Sequence, residues 1–263
     1  GVYLTRKIWL IHLYDGDKHG VGDCATLPDL SCDAMGDDIY MAKLHKFCEA
    51  FCLTGEIDYE AMRDYPSMLF GLEMALLDLR SEKEDCRSVL FDNAFSRGEI
   101  GIPINGLVWM GNYEEMLQRM EEKLKLGFRC VKLKIGAIDF EKEFDLVKKI
   151  RERFSHHEVE LRLDANGGFT YDEAMYKLEL LTQYNIHSIE QPIRQGQWAF
   201  MAQLCRESPL PIALDEELIG VNRTEQKSQL LNIIKPAYIV LKPSLHGGMA
   251  GCCEWIETAR NHD

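Results

Sequence analysis

The sequence predicts an α/β protein in which a run of βα units follows a smaller α+β domain. Three observations predict it. From residue 102 onward, short apolar stretches alternate with amphipathic ones six times, at a spacing of roughly 25 to 30 residues. The residues before 102 do not keep this rhythm. Charged side chains also fall at the C-terminal ends of consecutive strand candidates, which is where βα barrels carry their sites.

In the first part, residues 7–14 are rich in β-branched and aromatic residues, and Asp15-Gly16-Asp17 then supplies a turn. Residues 20–28 follow as an extended run ending in a loop. Residues 36–53 predict a helix with Ile39, Leu44, Phe47, Cys48 and Phe51 on one stripe. Residues 67–79 predict a second, with Met68, Leu69, Leu72, Ala75, Leu76 and Leu79 at helical spacing and Pro66 just before. The polar stretch 82–99 is the expected boundary, giving a capping domain over 1–98 and a partial barrel over 99–263.

In the second part the strand candidates are 102–108, 131–135, 159–163, 186–189, 211–214 and 238–241. The helix candidates are 113–126, 140–154, 171–184, 198–207, 222–234 and 249–260. Short, largely apolar strands between helices suit a parallel sheet covered on its outer face. Six units fall short of the eight of a closed barrel. About two units are therefore expected to be absent after residue 263, and Gly1, placed almost inside the first strand, suggests missing residues at the front.

With 263 residues, 46% of them hydrophobic, the chain can bury a sizeable core. Its net charge of -13 argues against nucleic acid or an anionic membrane as partner, but not against a small carboxylate substrate met by a local lysine cluster. No apolar run reaches the roughly 20 residues that span a bilayer. Nine cysteines, an odd number scattered along the chain, read as free thiols of a reducing cytoplasm. Cys48 and Cys52, and Cys252 and Cys253, lack the second half of a zinc site.

The chemistry centres on Cys130-Val131-Lys132-Leu133-Lys134-Ile135-Gly136. Strand side chains alternate, so Lys132 and Lys134 share one face, and Val131, Leu133 and Ile135 the other. Two ammonium groups there repel each other and resist desolvation, which suits an amine of depressed pKa. The next strands end in Leu163-Asp164-Ala165-Asn166, Ile189-Glu190-Gln191-Pro192, Leu214-Asp215-Glu216-Glu217 and Leu241-Lys242-Pro243. Taken singly, Asp164 or Asp215 is a helix cap, Glu190-Gln191-Pro192 a turn, and Lys242 a solvated strand end. Taken together, three carboxylates on neighbouring strands need a cation, and a hard divalent ion such as Mg2+ suits their oxygens. The lysines can then remove a proton beside a carboxylate whose charge the ion stabilises.

This order of motifs resembles the enolase superfamily, and within it the muconate-lactonising subgroup with a lysine on each side of the site. The resemblance covers nearly the whole chain. Residues 20–28 resemble the loop of the family's capping domain that closes over substrate, and 70–79 its capping helix. Residues 102–111 most resemble the subgroup's dehydrating branch, the o-succinylbenzoate synthases. Dipeptide epimerases, N-acylamino-acid racemases and cycloisomerases carry the same polar set, and a non-catalytic barrel is a third reading. The resemblance implies an enolase-type (β/α)7β barrel with an N-terminal capping domain. It implies Mg2+ on Asp164, Glu190 and Asp215, and Lys134 as general base. Lys132 would hold down the pKa of Lys134 and neutralise the substrate carboxylate. Lys242 would stand on the opposite face, and Asn166 and Glu216 would support the ligands.

Overall fold

The computed structural model describes residues 4–84, 87–89 and 91–262, with side chains outside 82–90. The chain forms two units. One holds Gly1–Ile102, Leu218–Ser228 and Leu241–Asp263, and the other Pro103–Glu217 and Gln229–Val240.

The first unit opens with an antiparallel hairpin of β1 (Trp9–Asp15) and β2 (Lys18–Cys24), in which Trp9 stands opposite Cys24 and Asp15 opposite Lys18. Helices α1 (Asp37–Thr54), α2 (Tyr59–Met62) and α3 (Pro66–Arg80) follow. A second hairpin, β3 (Glu82–Glu84) with β4 (Arg87–Val89), comes next. It falls in the stretch 82–99 expected as a boundary, of which residues 85, 86 and 90 lie outside the described residues.

Helix α3 is the centre of this unit. Met68, Leu69, Leu72 and Ala75 are buried on it and meet Ile11, Leu13, Cys24, Tyr40 and Leu44. Its N-terminus is held by Asp33, whose Oδ2 accepts from the Ser67 N–H (2.8 Å) and the Ser67 hydroxyl (2.5 Å). Strand β2 lies against the helix backbone at two glycines. A Cβ on Gly22 would stand 1.9 Å from the Gly71 carbonyl oxygen, and one on Gly20 2.2 Å from that of Ala75. The run beginning at Gly20 is therefore mostly a paired strand, and only residues 25–28 are loop. Ile39, placed by periodicity on the buried stripe, is 64% exposed, and Tyr40 is buried in its place, its hydroxyl 2.7 Å from the Ser67 Oγ. An aromatic ring with a polar tip can end in a buried hydrogen bond that an aliphatic chain cannot make.

Helix α9 (Gly248–Arg260) also belongs to the first unit. Its opening N–H groups, at Met249 and Ala250, donate to the buried Glu73 carboxylate of α3, the second at 3.0 Å. An anion at a helix N-terminus meets both the orphan donors and the helix dipole.

In the second unit, β5 (Gly106–Val108), β6 (Cys130–Lys134), β7 (Glu160–Asp164), β8 (Ser188–Glu190), β9 (Ile212–Leu214) and β10 (Tyr238–Ile239) form one all-parallel sheet in chain order. Sequential order is the pattern of a barrel, since a doubly wound sheet reverses direction. Helices α4 (Tyr113–Lys125), α5 (Phe140–Arg153), α6 (Tyr171–Leu181) and α7 (Trp198–Glu207) connect the strands. Asn112 with Glu115, and Thr170 with Glu173, close capping boxes on α4 and α6. Helix α8 (Thr224–Ile234) precedes β10. Val131, Leu133, Leu161, Leu163, Ile189 and Ile212 are buried on the face that alternates with the charged residues. The first barrel strand is shorter than its apolar sequence suggests: Ile102 and Ile104 are exposed and unpaired in the sheet, and pairing starts at Gly106. No helix among the described residues is long and apolar enough to cross a membrane, and the eight cysteines among them are free.

The β2–α3 contact predicts a localised sensitivity. Gly22→Ala should cost about 1 to 3 kcal/mol through overpacking against backbone that cannot retreat. Gly101→Ala, with nothing within 4 Å of its new methyl group, should stay within about 0.5 kcal/mol. Urea denaturation of the two variants checks both values.

Candidate active site

Strand register assembles the site. Lys134 stands opposite Asp164, Asp164 opposite Glu190, and Glu190 opposite Ala213, with Asp215 two residues beyond Ala213 and so on the same face. Gly136, two residues beyond β6, has φ +86, a conformation that favours glycine. Lys134, Asp164, Glu190 and Asp215 are all buried.

The lysines reach the acids. Lys132 Nζ lies 2.8 Å from Asp164 Oδ2 and 2.6 Å from Glu190 Oε2, bridging the two carboxylates. Lys134 Nζ donates to the same Asp164 Oδ2 at 2.5 Å and to Asn166 Oδ1 at 2.6 Å. The Trp109 ring centroid is 5.4 Å from that ammonium. Asn166 passes the contact on, its Nδ2 donating to Glu216 Oε1 at 2.8 Å.

The electrostatics follow from burial and these partners. Burial alone would raise the Asp164 pKa, but the charges of Lys132 and Lys134 outweigh it and hold the acid below its ordinary value. Glu190 is pushed up to about 7 by burial and then by the Asp164 charge, with only Lys132 opposing. Glu216 is raised by burial and by Asp215. Burial also works to lower Lys132, yet the attraction of Asp164 and Glu190 raises it. Lys132, expected as the charge beside the base, is thus held as an ammonium by the acids. Repulsion between the two ammonium groups is a smaller effect than contact with two buried carboxylates.

The structure thus brings together Lys132, Lys134, Asp164, Glu190, Asn166 and Glu216, with Asp215 at the adjoining strand end. Lys242 follows β10 by three residues and belongs to the other unit, where its N–H donates to His246 Nδ1 at 2.9 Å. Among the described residues no three of His, Cys, Asp and Glu stand grouped as a metal-ligand set. Lys132 lies between the two acids that would begin one. The donor chemistry nevertheless fits a hard divalent cation. Asp164 and Glu190 are paired with the two ammonium groups, Asp215 and Glu216 add carboxylates at the adjoining strand end, and Glu190 Oε1 and Glu216 Oε2 are buried oxygens without a hydrogen-bond partner.

Two residues of this region were not singled out from sequence. Gln191 and Glu217 are both buried, and Gln191 Nε2 donates to Glu217 Oε2 at 3.1 Å. Burial raises the pKa of Glu217. Glu190-Gln191-Pro192 held a signal in plain view: an amide residue between a buried acid and a proline.

Comparison with known proteins agrees with this geometry. Residues 115–263 match the enolase C-terminal domain-like family, and residues 2–79 match the MenC N-terminal domain. An o-succinylbenzoate synthase of Desulfotalea psychrophila is 43% identical over 290 aligned positions, covering 99% of this chain and 77% of that protein. The chain belongs to the o-succinylbenzoate synthase family of the enolase superfamily. The crystal structure of MenC from the same organism superposes with a TM-score of 0.78 at 40% identity, covering 98% of this chain and 78% of that one. The L-Ala-D/L-Glu epimerase of Bacillus subtilis is a more distant relative, 26% identical over 95% of this chain and 69% of its own length. The o-succinylbenzoate synthase of Thermosynechococcus elongatus, solved with Mg in its active site, shares the fold with a TM-score of 0.70 at 21% identity, covering 94% of this chain and 72% of that one.

The ion pairs of this family member predict a stability effect. Asp164→Asn leaves two largely buried ammonium groups short of a counter-charge and should cost about 3 kcal/mol, measured by urea denaturation in the presence of EDTA. A cost under about 1 kcal/mol would mean that the pairs are solvated.

Proposed function

We propose that the chain is an Mg2+-dependent o-succinylbenzoate synthase. It would dehydrate 2-succinyl-6-hydroxy-2,4-cyclohexadiene-1-carboxylate to o-succinylbenzoate in menaquinone biosynthesis. The observation that carries this reading is the 43% identity to a synthase over 99% of the chain. The lysine pair set against buried acids supplies the chemistry that the reaction needs.

Lys134 takes the proton from the ring carbon that bears the carboxylate. The hydroxyl on the neighbouring carbon leaves on the same side, and Lys134 Nζ returns the proton to it. One C–H and one C–O bond break, one C=C bond forms, and water departs. The ring becomes aromatic, so the driving force is large and a single lysine can serve as base and then as acid. Asn166 Oδ1, 2.6 Å from Nζ, keeps that amine aimed. Lys132 neutralises the substrate carboxylate, and the family resemblance gives Lys242 the role of stabilising the ring by charge. Asp164, Glu190 and Asp215 would hold Mg2+, with Asn166 and Glu216 supporting them. When bound, Mg2+ supplies positive charge where the substrate carboxylate gains negative charge.

Purified protein with Mg2+ and the cyclohexadiene substrate should develop aromatic absorbance. Lys134→Ala should lower kcat by about 10^3-fold or more while Mg2+ affinity stays within a few-fold. Turnover retained in that variant removes Lys134 as the base. Deuterium entering a dipeptide α-carbon with inversion, and no aromatic product from the diene, would instead favour the epimerase chemistry of the more distant relatives.

A further inference from the structure

Gln191 is fully buried at the end of β8, directly after Glu190. Its φ is +40, in the left-handed region, although it is neither glycine nor asparagine and precedes Pro192. Such a conformation persists where the surroundings over-determine it, and here they do. Its N–H donates to the Ala213 carbonyl at 2.9 Å, and its carbonyl accepts from the Gly167 N–H at 2.7 Å. Its side-chain Oε1 accepts from the Asp215 and Glu217 N–H groups, each at 3.2 Å. Its Nε2 donates to the Ile193 carbonyl at 3.0 Å and to Glu217 Oε2 at 3.1 Å.

The carboxamide therefore uses both acceptor lone pairs and both donors. Counting the backbone, this one residue is bonded to the segments that follow β7, β8 and β9. The first two follow directly on Asp164 and Glu190, which end β7 and β8, and the third begins with Asp215. Bonding the Asp215 N–H fixes where that carboxylate starts relative to Glu190, one peptide unit away on the other side of Gln191.

We propose that Gln191 is a positioning residue: its carboxamide oxygen sets the spacing of the Glu190 and Asp215 carboxylates, and with it the affinity of the site for a divalent cation. This rests on the reading of Asp164, Glu190 and Asp215 as ligands. Groups that orient metal ligands typically change affinity by about 10- to 100-fold when removed. Gln191→Met keeps the length of the side chain and removes its hydrogen bonds. Gln191→Asn keeps the carboxamide and draws it back by one carbon. Gln191→Glu keeps the acceptor oxygens and, as the neutral acid, can still donate to Glu217.

The experiment is calorimetric titration with Mg2+, without substrate, of the wild type and of each variant that circular dichroism shows to be folded. Gln191→Met and Gln191→Asn should bind at least about 10-fold more weakly. Gln191→Glu should stay within about 3-fold of the wild type, a rescue that a merely space-filling role would not produce. Wild-type affinity in a folded Met or Asn variant overturns the proposal, as does a loss in the Glu variant equal to theirs. Asp215→Asn is the control: if the wild type binds Mg2+ no better than this variant, the ligand reading fails. If the wild type binds better and Gln191→Met matches it, the role of Gln191 alone fails.

Discussion

Several like charges gathered in a buried place constrain everything near them. At the C-terminal ends of β6 to β9, desolvation works against every carboxylate and every ammonium, and only mutual contact offsets it. Strand register makes that contact possible, because residues opposite one another in a parallel sheet lie side by side on one face. A shift of one residue in β7 would turn Asp164 outward and bring the apolar Leu163 or Ala165 to the lysines. The apolar alternation on the other face, from Val131 through Ile212, fixes the register and therefore the charges. The packing of the sheet and the chemistry of the site are two faces of one alternation.

The first unit solves a different problem. Helix α3 is buried along much of its length, so its polar attachments must be made by named partners. Asp33 meets its N-terminus, and Glu73, one turn and a half further along, meets the beginning of α9. Each buried acid is raised in pKa by its burial and lowered by the N–H groups it accepts from. Gly20 and Gly22 let β2 rest on the helix backbone, where larger residues would hold the hairpin away.

The barrel strands and the charged set were legible because both are periodic. A period of two places Lys132 and Lys134 together, and recurring strand ends place Asp164, Glu190 and Asp215 at one end of a sheet. What was not legible depends on contacts between segments distant in sequence. Ile39 and Tyr40 are adjacent, and only the position of Ser67 decides which turns inward. Residues 20–24 read as extended, but that Gly20 and Gly22 lie against a helix backbone depends on α3, about 50 residues on. The direction of the Lys132 shift needed the distance to two acids, which spacing along the chain does not supply. Gln191 stands within a visible motif, but the N–H groups its side chain accepts from lie just past a neighbouring strand, 24 and 26 residues away.

The link from Glu73 to α9 also bears on how the protein is made. Its partners are encoded 176 and 177 residues downstream. At a ribosomal rate of about 5 to 20 residues per second, α3 waits roughly 9 to 35 s for the helix that it caps. During that interval the first unit has its hairpin and helices α1 to α3 but not α9. The nascent chain therefore carries the Glu73 carboxylate without these donors throughout synthesis of the β-sheet.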